Sequence, residues 1–273
     1  LSHEANGLLR ALVTGATGGI GRATCLALAA SARSRGLRLV IAVAASKPGA
    51  ALDALCVDLT AQGAQPHPVH GDLGDAGDCA RVAEEAVQCC GGLDVLVSNA
   101  GIVRASPLAT LEVTEWDRVL ALDARATWLL ARTARAALAQ SRGAIVAVAS
   151  VSALYPFPGL GAYSPAKAAL VMLCRQLAQE WAADGIRVNT VSPGLIRTPL
   201  SEPIYRDAEL LRRREAAVPL GRIGTPDDVA QAVVHLLSPE TSYVTGIDLR
   251  LDGGLGDRVL ATVPGKPPAR EER

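Results

Sequence analysis

The sequence predicts an α/β fold: a doubly wound parallel sheet between two layers of helices, a three-layer α/β/α arrangement in one domain. Three observations predict it. Short apolar runs alternate with Ala- and Leu-rich stretches of helical spacing along most of the 273 residues. Hydrophobic residues make up 49% of the chain and aromatic ones only 3%, so the core must be packed from Ala, Val, Leu and Ile, as where helices lie on a buried parallel sheet. A cluster of glycines separates the first apolar run from the first helical stretch. Strands that alternate with helices of this length require right-handed crossovers, and these give a parallel sheet covered on both faces.

The elements follow in order. Residues 8–14 read as a strand that ends at the glycines, and 21–32 as a helix. The cycle repeats with a buried strand at 37–44, a helix at 49–62, a short strand at 66–70 and a helix at 76–88. A fourth strand at 93–98 leads to one long Ala-rich helix at 116–140, a fifth strand at 144–149, a helix at 165–183 and a sixth strand at 186–191. Between 195 and 219 the pattern breaks, with Pro199, Pro203, Pro219 and the charged block Arg212-Arg213-Arg214-Glu215; an irregular stretch of that length inside a domain reads as a lid. Order returns with a helix at 226–237 and a last strand at 247–251. The domain is expected to span 1–262, and the Pro- and charge-rich end, 263–273, to form a loose tail.

Composition excludes several function classes. Lys and Arg total 27, as do Asp and Glu, so the formal net charge is zero and no global attraction to nucleic acid or to an anionic membrane has a source. The one long uncharged run, 143–166, carries Ser150, Ser152, Pro156 and Pro158 among several glycines, a poor membrane span. Leu1-Ser-His-Glu lacks the charged-then-apolar ramp of a secretion signal, and a cytoplasmic location is expected. The six cysteines, at 25, 56, 79, 89, 90 and 174, show no metal-ligand spacing and read as reduced, mostly buried thiols. A small molecule is the expected partner.

Two constellations carry chemistry. Thr14-Gly15-Ala16-Thr17-Gly18-Gly19-Ile20-Gly21 follows a strand and opens a helix, so backbone N–H groups face outward where a pyrophosphate can rest. Glycines at strand-to-helix turns also arise merely to permit positive φ, so taken alone the turn leaves two readings, a nucleotide site and a plain tight turn. An acidic residue at the end of the second strand would bind the ribose hydroxyls of NAD; Ala44-Ala45-Ser46-Lys47 offers none, and Ser46 with Lys47 could donate to a 2′-phosphate, which favours NADP and leaves NAD open. Tyr163 and Lys167 stand four apart and share a helix face. Bringing a tyrosine from near 10 to neutrality takes about three units, roughly 4 kcal/mol, which an ammonium in a poorly solvated cleft can supply. Ser150 closes the fifth strand, where open parallel sheets present ligands, and its hydroxyl could hold a substrate oxygen. A Tyr-x-x-x-Lys pair alone is an ordinary surface feature; the joint pattern is not.

With the motifs taken together, the chain resembles the short-chain dehydrogenase/reductases over nearly its whole length. The resemblance rests on Thr14-Gly-x-x-x-Gly-x-Gly21, Asp72-Leu73, Asn99-Ala100-Gly101, Ser150, Tyr163-Ser-Pro-Ala-Lys167 and Ser192-Pro193-Gly194 with Thr198. The stretch from Pro219-Leu-Gly-Arg-Ile-Gly through Val244-Thr-Gly246 to Asp252-Gly-Gly254 looks most like 3-oxoacyl-carrier-protein reductases and their secondary-alcohol relatives. The resemblance implies a cofactor site built from Gly15, Thr17, Gly19, Ile20, Gly21, Ser46, Asp72, Leu73, Asn99, Ala100, Gly101, Pro193, Gly194, Ile196 and Thr198 together with Tyr163 and Lys167. Thr17 and Ile20 would line the pyrophosphate, Asp72 would bond the adenine amine beside Leu73, Asn99 would steady the central strand near the ribose, and Ile196 and Thr198 would meet the nicotinamide amide. Tyr163 would be the general acid or base, Lys167 would bind the ribose and lower the tyrosine pKa, Ser150 would polarise the carbonyl, and no metal would be needed.

Two departures stand out. The family usually places an Asn in the long helix to support a water relay to the lysine, and this chain has Asp123, counted here with the catalytic residues. Gln179 stands where carrier-protein reductases often have a basic docking residue; Arg132, Arg135 and Arg142 are the alternative. The expected reaction is hydride transfer between NADP(H) and a ketone or secondary alcohol, in a cleft walled by Leu154, Tyr155, Pro156, Phe157 and Leu160 and covered by the 195–219 lid. Reduction of a 3-oxoacyl thioester on a carrier protein or coenzyme A, and a nucleotide-binding regulator without catalysis, remain as alternatives. The resemblance further implies a homotetramer, or failing that a dimer, paired through the 116–140 and 165–183 helices.

Overall fold

The structure, a computed structural model, describes residues 7–199 and 201–258. Seven strands form one sheet in the order β3-β2-β1-β4-β5-β6-β7. They are β1 (Leu8–Thr14), β2 (Arg38–Ala45), β3 (Gln65–His70), β4 (Val95–Ser98), β5 (Ala144–Val148), β6 (Arg187–Pro193) and β7 (Asp248–Leu251). Every neighbouring pair runs parallel. The chain winds outward from β1 to β3, then returns to place β4 on the other side of β1, so the direction of winding reverses between these two strands. At such a reversal the loops leaving the carboxyl ends part and open a crevice.

Both faces of the sheet are buried, as the continuous apolar strands require. In β1, Leu12 joins the core on one face and Ala11 and Val13 the core on the other. Helices α3 (Ala76–Cys90), α5 (Ala126–Ser141) and α6 (Tyr163–Glu180) cover the first face; α1 (Gly19–Ser34), α2 (Ala50–Ala61) and α9 (Pro226–Leu237) cover the second. Their buried faces are rich in alanine, for example Ala83, Ala86, Ala131 and Ala134, which lets helices approach each other and the sheet closely.

Two expectations needed correction. The single helix at 116–140 is three segments: α4 (Val113–Leu120), a π-helical turn (Ala121–Arg125) and α5. Such a turn inserts an extra residue and re-aims the side chains that follow it. The stretch 195–219 is not irregular throughout; it contains α7 (Glu202–Tyr205) and α8 (Ala208–Ala217). Asp207 starts α8 by accepting from the backbone N–H of Glu209 and Leu210 at 2.9 and 3.0 Å. The expected tail, 263–273, lies outside the described residues, and no helix among those described is long and apolar enough to cross a membrane.

Candidate active site

The glycine turn stands at the crevice. Gly15 has φ +60°, and a Cβ on it would lie 2.9 Å from the Ala100 Cα; on Gly21 a Cβ would lie 2.1 Å from the Gly15 carbonyl oxygen. Only a chain without side chains at these points can fold back so tightly. Asn99 holds the turn by donating from Nδ2 to the carbonyls of Thr14 and Gly15, both at 3.1 Å. The N-terminus of α1 is left open: no side chain caps it and its first turn carries no acidic residue. By contrast, Asp75, Asp207 and Thr225 cap α3, α8 and α9.

Two adjoining cavities meet at this turn. One, of about 530 Å³, is lined by Gly15, Thr17, Gly19 and Ile20 on one side, by Asn99, Ala100 and Gly101 after β4, and by Pro193, Gly194, Ile196 and Thr198 after β6. Asp123, Ser150, Tyr163 and Lys167 complete its wall. The other, of about 260 Å³, lies between the ends of β2 and β3 and the α4 helix, and is lined by Ser46, Asp72, Leu73, Arg118 and Leu122. Gly15, Thr17, Ala100, Gly101 and Ile102 border both. Of the expected cofactor residues, Gly21 alone lines neither; it shapes the turn from behind.

The polar cluster is built by three elements. Ser150 follows β5; its hydroxyl oxygen accepts the Ser152 N–H at 3.1 Å, which leaves the hydroxyl proton to donate elsewhere. Tyr163 is the first residue of α6, and Lys167, one turn on, is 4% exposed. The Lys167 Nζ donates to the Val148 carbonyl at 3.0 Å and lies 5.6 Å from the centre of the Tyr163 ring. Pro165 sits in the first turn of α6, where a missing N–H costs nothing. The π turn swings Asp123 inward to the same lysine. Its Oδ2 lies 3.3 Å from Nζ without hydrogen-bond geometry, while its Oδ1 accepts the Ile102 N–H at 2.8 Å. Burial pushes the Asp123 carboxyl above the usual carboxylate range, an effect only partly offset by the ammonium and the Ile102 amide.

A family model described as enoyl-(acyl carrier protein) reductase matches residues 15–256. The chain is 37% identical over 248 residues to the 3-oxoacyl-[acyl-carrier-protein] reductase FabG of Thermotoga maritima, covering 89% of this chain and 96% of that one. The chain belongs to the short-chain dehydrogenase/reductase family. It is 39% identical over 210 residues to a Xanthobacter autotrophicus protein named inactive 2-(S)-hydroxypropyl-CoM dehydrogenase 2, covering 74% of this chain and 91% of that one. Among solved structures, a candidate NAD(P)-dependent gluconate 5-dehydrogenase from Beutenbergia cavernae, with NADP bound at low occupancy, superimposes with a TM-score of 0.80 at 33% identity, covering 92% of this chain and 96% of that one. Short-chain dehydrogenase/reductases are NAD(P)-dependent oxidoreductases, and the protein is an enzyme of this class.

The cradle fits a dinucleotide. Its turn would be filled by any Cβ, the adjacent helix end is uncapped, and the pair of cavities runs from Ser46 to Tyr163. Lys47 is exposed and does not line the smaller cavity, whereas Ser46 does. The expected apolar wall also needs correction: none of Leu154, Tyr155, Pro156, Phe157 and Leu160 lines the larger cavity, where Ile102, Val103 and Ile196 supply the apolar surface. Tyr155 turns away, its hydroxyl accepting from Arg250 at 2.6 Å and donating to Asp257 at 3.3 Å. Sequence reasoning missed Arg118. The signal was the helical spacing of Arg118, Leu122 and Arg125, which puts all three on the crevice side of one helical run.

Proposed function

We propose that this short-chain dehydrogenase/reductase moves a hydride between NADP(H) and a ketone or secondary alcohol of small to medium size, with Tyr163 as general acid and base. The observation that carries the reading is the convergence of Ser150, Tyr163 and Lys167 on one cavity with the glycine turn. When bound, the nicotinamide ring supplies or accepts the hydride. The Ser150 proton, not used by the Ser152 amide, holds the substrate oxygen. The Tyr163 hydroxyl gives its proton to that oxygen during reduction and takes it back during oxidation. Lys167, fixed on the Val148 carbonyl, stabilises the phenolate, and Asp123 holds the lysine from the other side.

At the cofactor, the open α1 terminus with Thr17 and Ile20 would hold the pyrophosphate and Asp72 the adenine amine. Asn99 keeps the turn in shape, and Ile196 and Thr198 would hold the nicotinamide amide. The preference for NADP is supported by Ser46 at the cavity edge and by the absence of a carboxylate in Ala44-Ala45-Ser46. An apolar substrate is supported by the charges of the larger cavity: among the described residues, Asp123 and Lys167 are the only charged ones that line it, and each is the other's partner.

A second reading, reduction of a 3-oxoacyl thioester, is favoured by the likeness to the Thermotoga reductase. Turnover of acetoacetyl thioesters against free ketones, each with NADPH and NADH, separates the two. Faster ketone turnover with NADPH supports the main reading, and exclusive thioester turnover favours the second. Cofactor binding without oxidation of NADPH by any carbonyl would replace both with a regulator. The six free cysteines suit a reducing cytoplasm. Half-exposed Trp128 on α5 and exposed Met172 on α6 suit helix pairing in a homotetramer.

A further inference from the structure

The smaller cavity has a polar rim that the catalytic cluster does not use. Arg118 of α4 donates from its Nη2 to Oδ1 of Asp72 at 2.7 Å, and the same oxygen accepts the Gly74 N–H at 3.0 Å. The Arg118 guanidinium lies so close over Gly74 that a Cβ there would fall 1.8 Å from Nη1. From the π turn, Arg125 donates to the Gly74 carbonyl at 2.6 Å. The Asp72 backbone N–H is itself fixed by the Asp78 carboxylate at 2.7 Å. Two arginines of one helical run therefore set the 72–74 loop, and one of them lines the cavity together with Asp72. Both charges are substantially exposed, with side-chain accessibilities of 39% and 51%, so as a surface ion pair they contribute little to stability. The geometry is more specific than that contribution explains.

We propose that Arg118 is a specificity-determining residue for the purine end of the cofactor: it occupies Asp72 Oδ1 and thereby aims Oδ2 at an exocyclic 6-amino group. This rests on the dinucleotide reading above. Oδ1 already has two donors, so Oδ2 is the oxygen left with capacity for a ligand. A carboxylate accepts from an amine and repels a carbonyl, so the rim distinguishes a 6-aminopurine from a 6-oxopurine. Leu73, Ile102 and Leu122 supply apolar surface for the base itself. Without the Arg118 Nη2 donor the carboxylate can rotate, and the preference falls.

The test is direct binding, followed by the fluorescence of NADPH and of its reduced hypoxanthine analogue, to wild type, Arg118→Gln, Arg118→Lys and Asp72→Asn. Wild type is expected to prefer the adenine cofactor by at least about tenfold, as a hydrogen bond to a charged group allows. Arg118→Gln should lose most of that ratio by weakening NADPH while leaving the hypoxanthine analogue nearly unchanged. Arg118→Lys should recover only part, because a lysine keeps the charge but not the rigid planar head that sets the direction of the Nη2 donor. Asp72→Asn should lose the ratio too, and the double variant should be no worse than either single one. Thermal melts decide whether each variant is folded; if Arg118→Gln is not, Arg118→Lys and Asp72→Asn carry the same comparison. An unchanged ratio in the folded variants, or equal weakening of both cofactors, overturns the proposal. If wild type binds neither dinucleotide, the parent reading fails instead, an outcome distinct from these.

Discussion

Asp123 is where a single residue bears most on the chemistry. A carboxyl raised above its unfolded pKa by burial binds its proton more tightly in the folded chain. Folding stability must therefore fall as pH rises from the unfolded carboxylate value, about 4, through the raised folded one, because the folded state holds more protons across that window. Asp123→Asn removes this slope, which melts across pH 4 to neutrality would show. The catalytic consequence is read from turnover. Asp123→Asn removes the carboxylate 3.3 Å from the Lys167 Nζ and leaves that cation to the Tyr163 side of the cavity, so turnover should rise, by about two- to tenfold. Unchanged turnover would reduce Asp123 to a support for the π turn, through its bond to Ile102.

At the scale of elements, the turn between β1 and α1 is the most constrained piece. Gly21→Ala puts a methyl 2.1 Å from the Gly15 carbonyl, so the turn must open. We expect a destabilisation of about 1–3 kcal/mol and at least a tenfold loss of dinucleotide affinity, measured by melts and by NADPH titration; wild-type affinity would contradict the assignment of the turn. This element was legible in sequence because local rules fix it: the expected 8–14 strand and the observed β1 coincide. The alternation of apolar and helical runs likewise gave all seven strands, with ends shifted by a residue or two. The π turn was not legible, since a slip in hydrogen-bond register leaves no mark in an Ala-rich helical pattern. Helix α8 was hidden by flanking prolines and by Arg212 and Arg213, which belong to its solvent face. Tyr155 was misassigned because nearness to Ser150 in sequence says nothing about a partner such as Arg250. Arg118 was missed for the same reason, its partner Asp72 lying 46 residues away.

At the scale of the molecule, the winding order of the sheet explains why residues from six separate loops and helices meet. All of them follow carboxyl ends of strands or face the crevice between β1 and β4. Assembly adds a second level: a homotetramer should sediment at about four times the 28.2 kDa chain mass, and Trp128→Glu should split it, whereas a species at the chain mass would contradict the helix pairing. Those helices include α6, which carries Tyr163 and Lys167, so the centre of chemistry and the assembly would share a framework. The most direct measurement of the central claim pairs NADPH binding with ketone-dependent NADPH oxidation in wild type and Tyr163→Phe. The account predicts an affinity within about twofold of wild type and turnover lower by two to four orders of magnitude, roughly the range for a lost general acid. Turnover at the wild-type rate would contradict it.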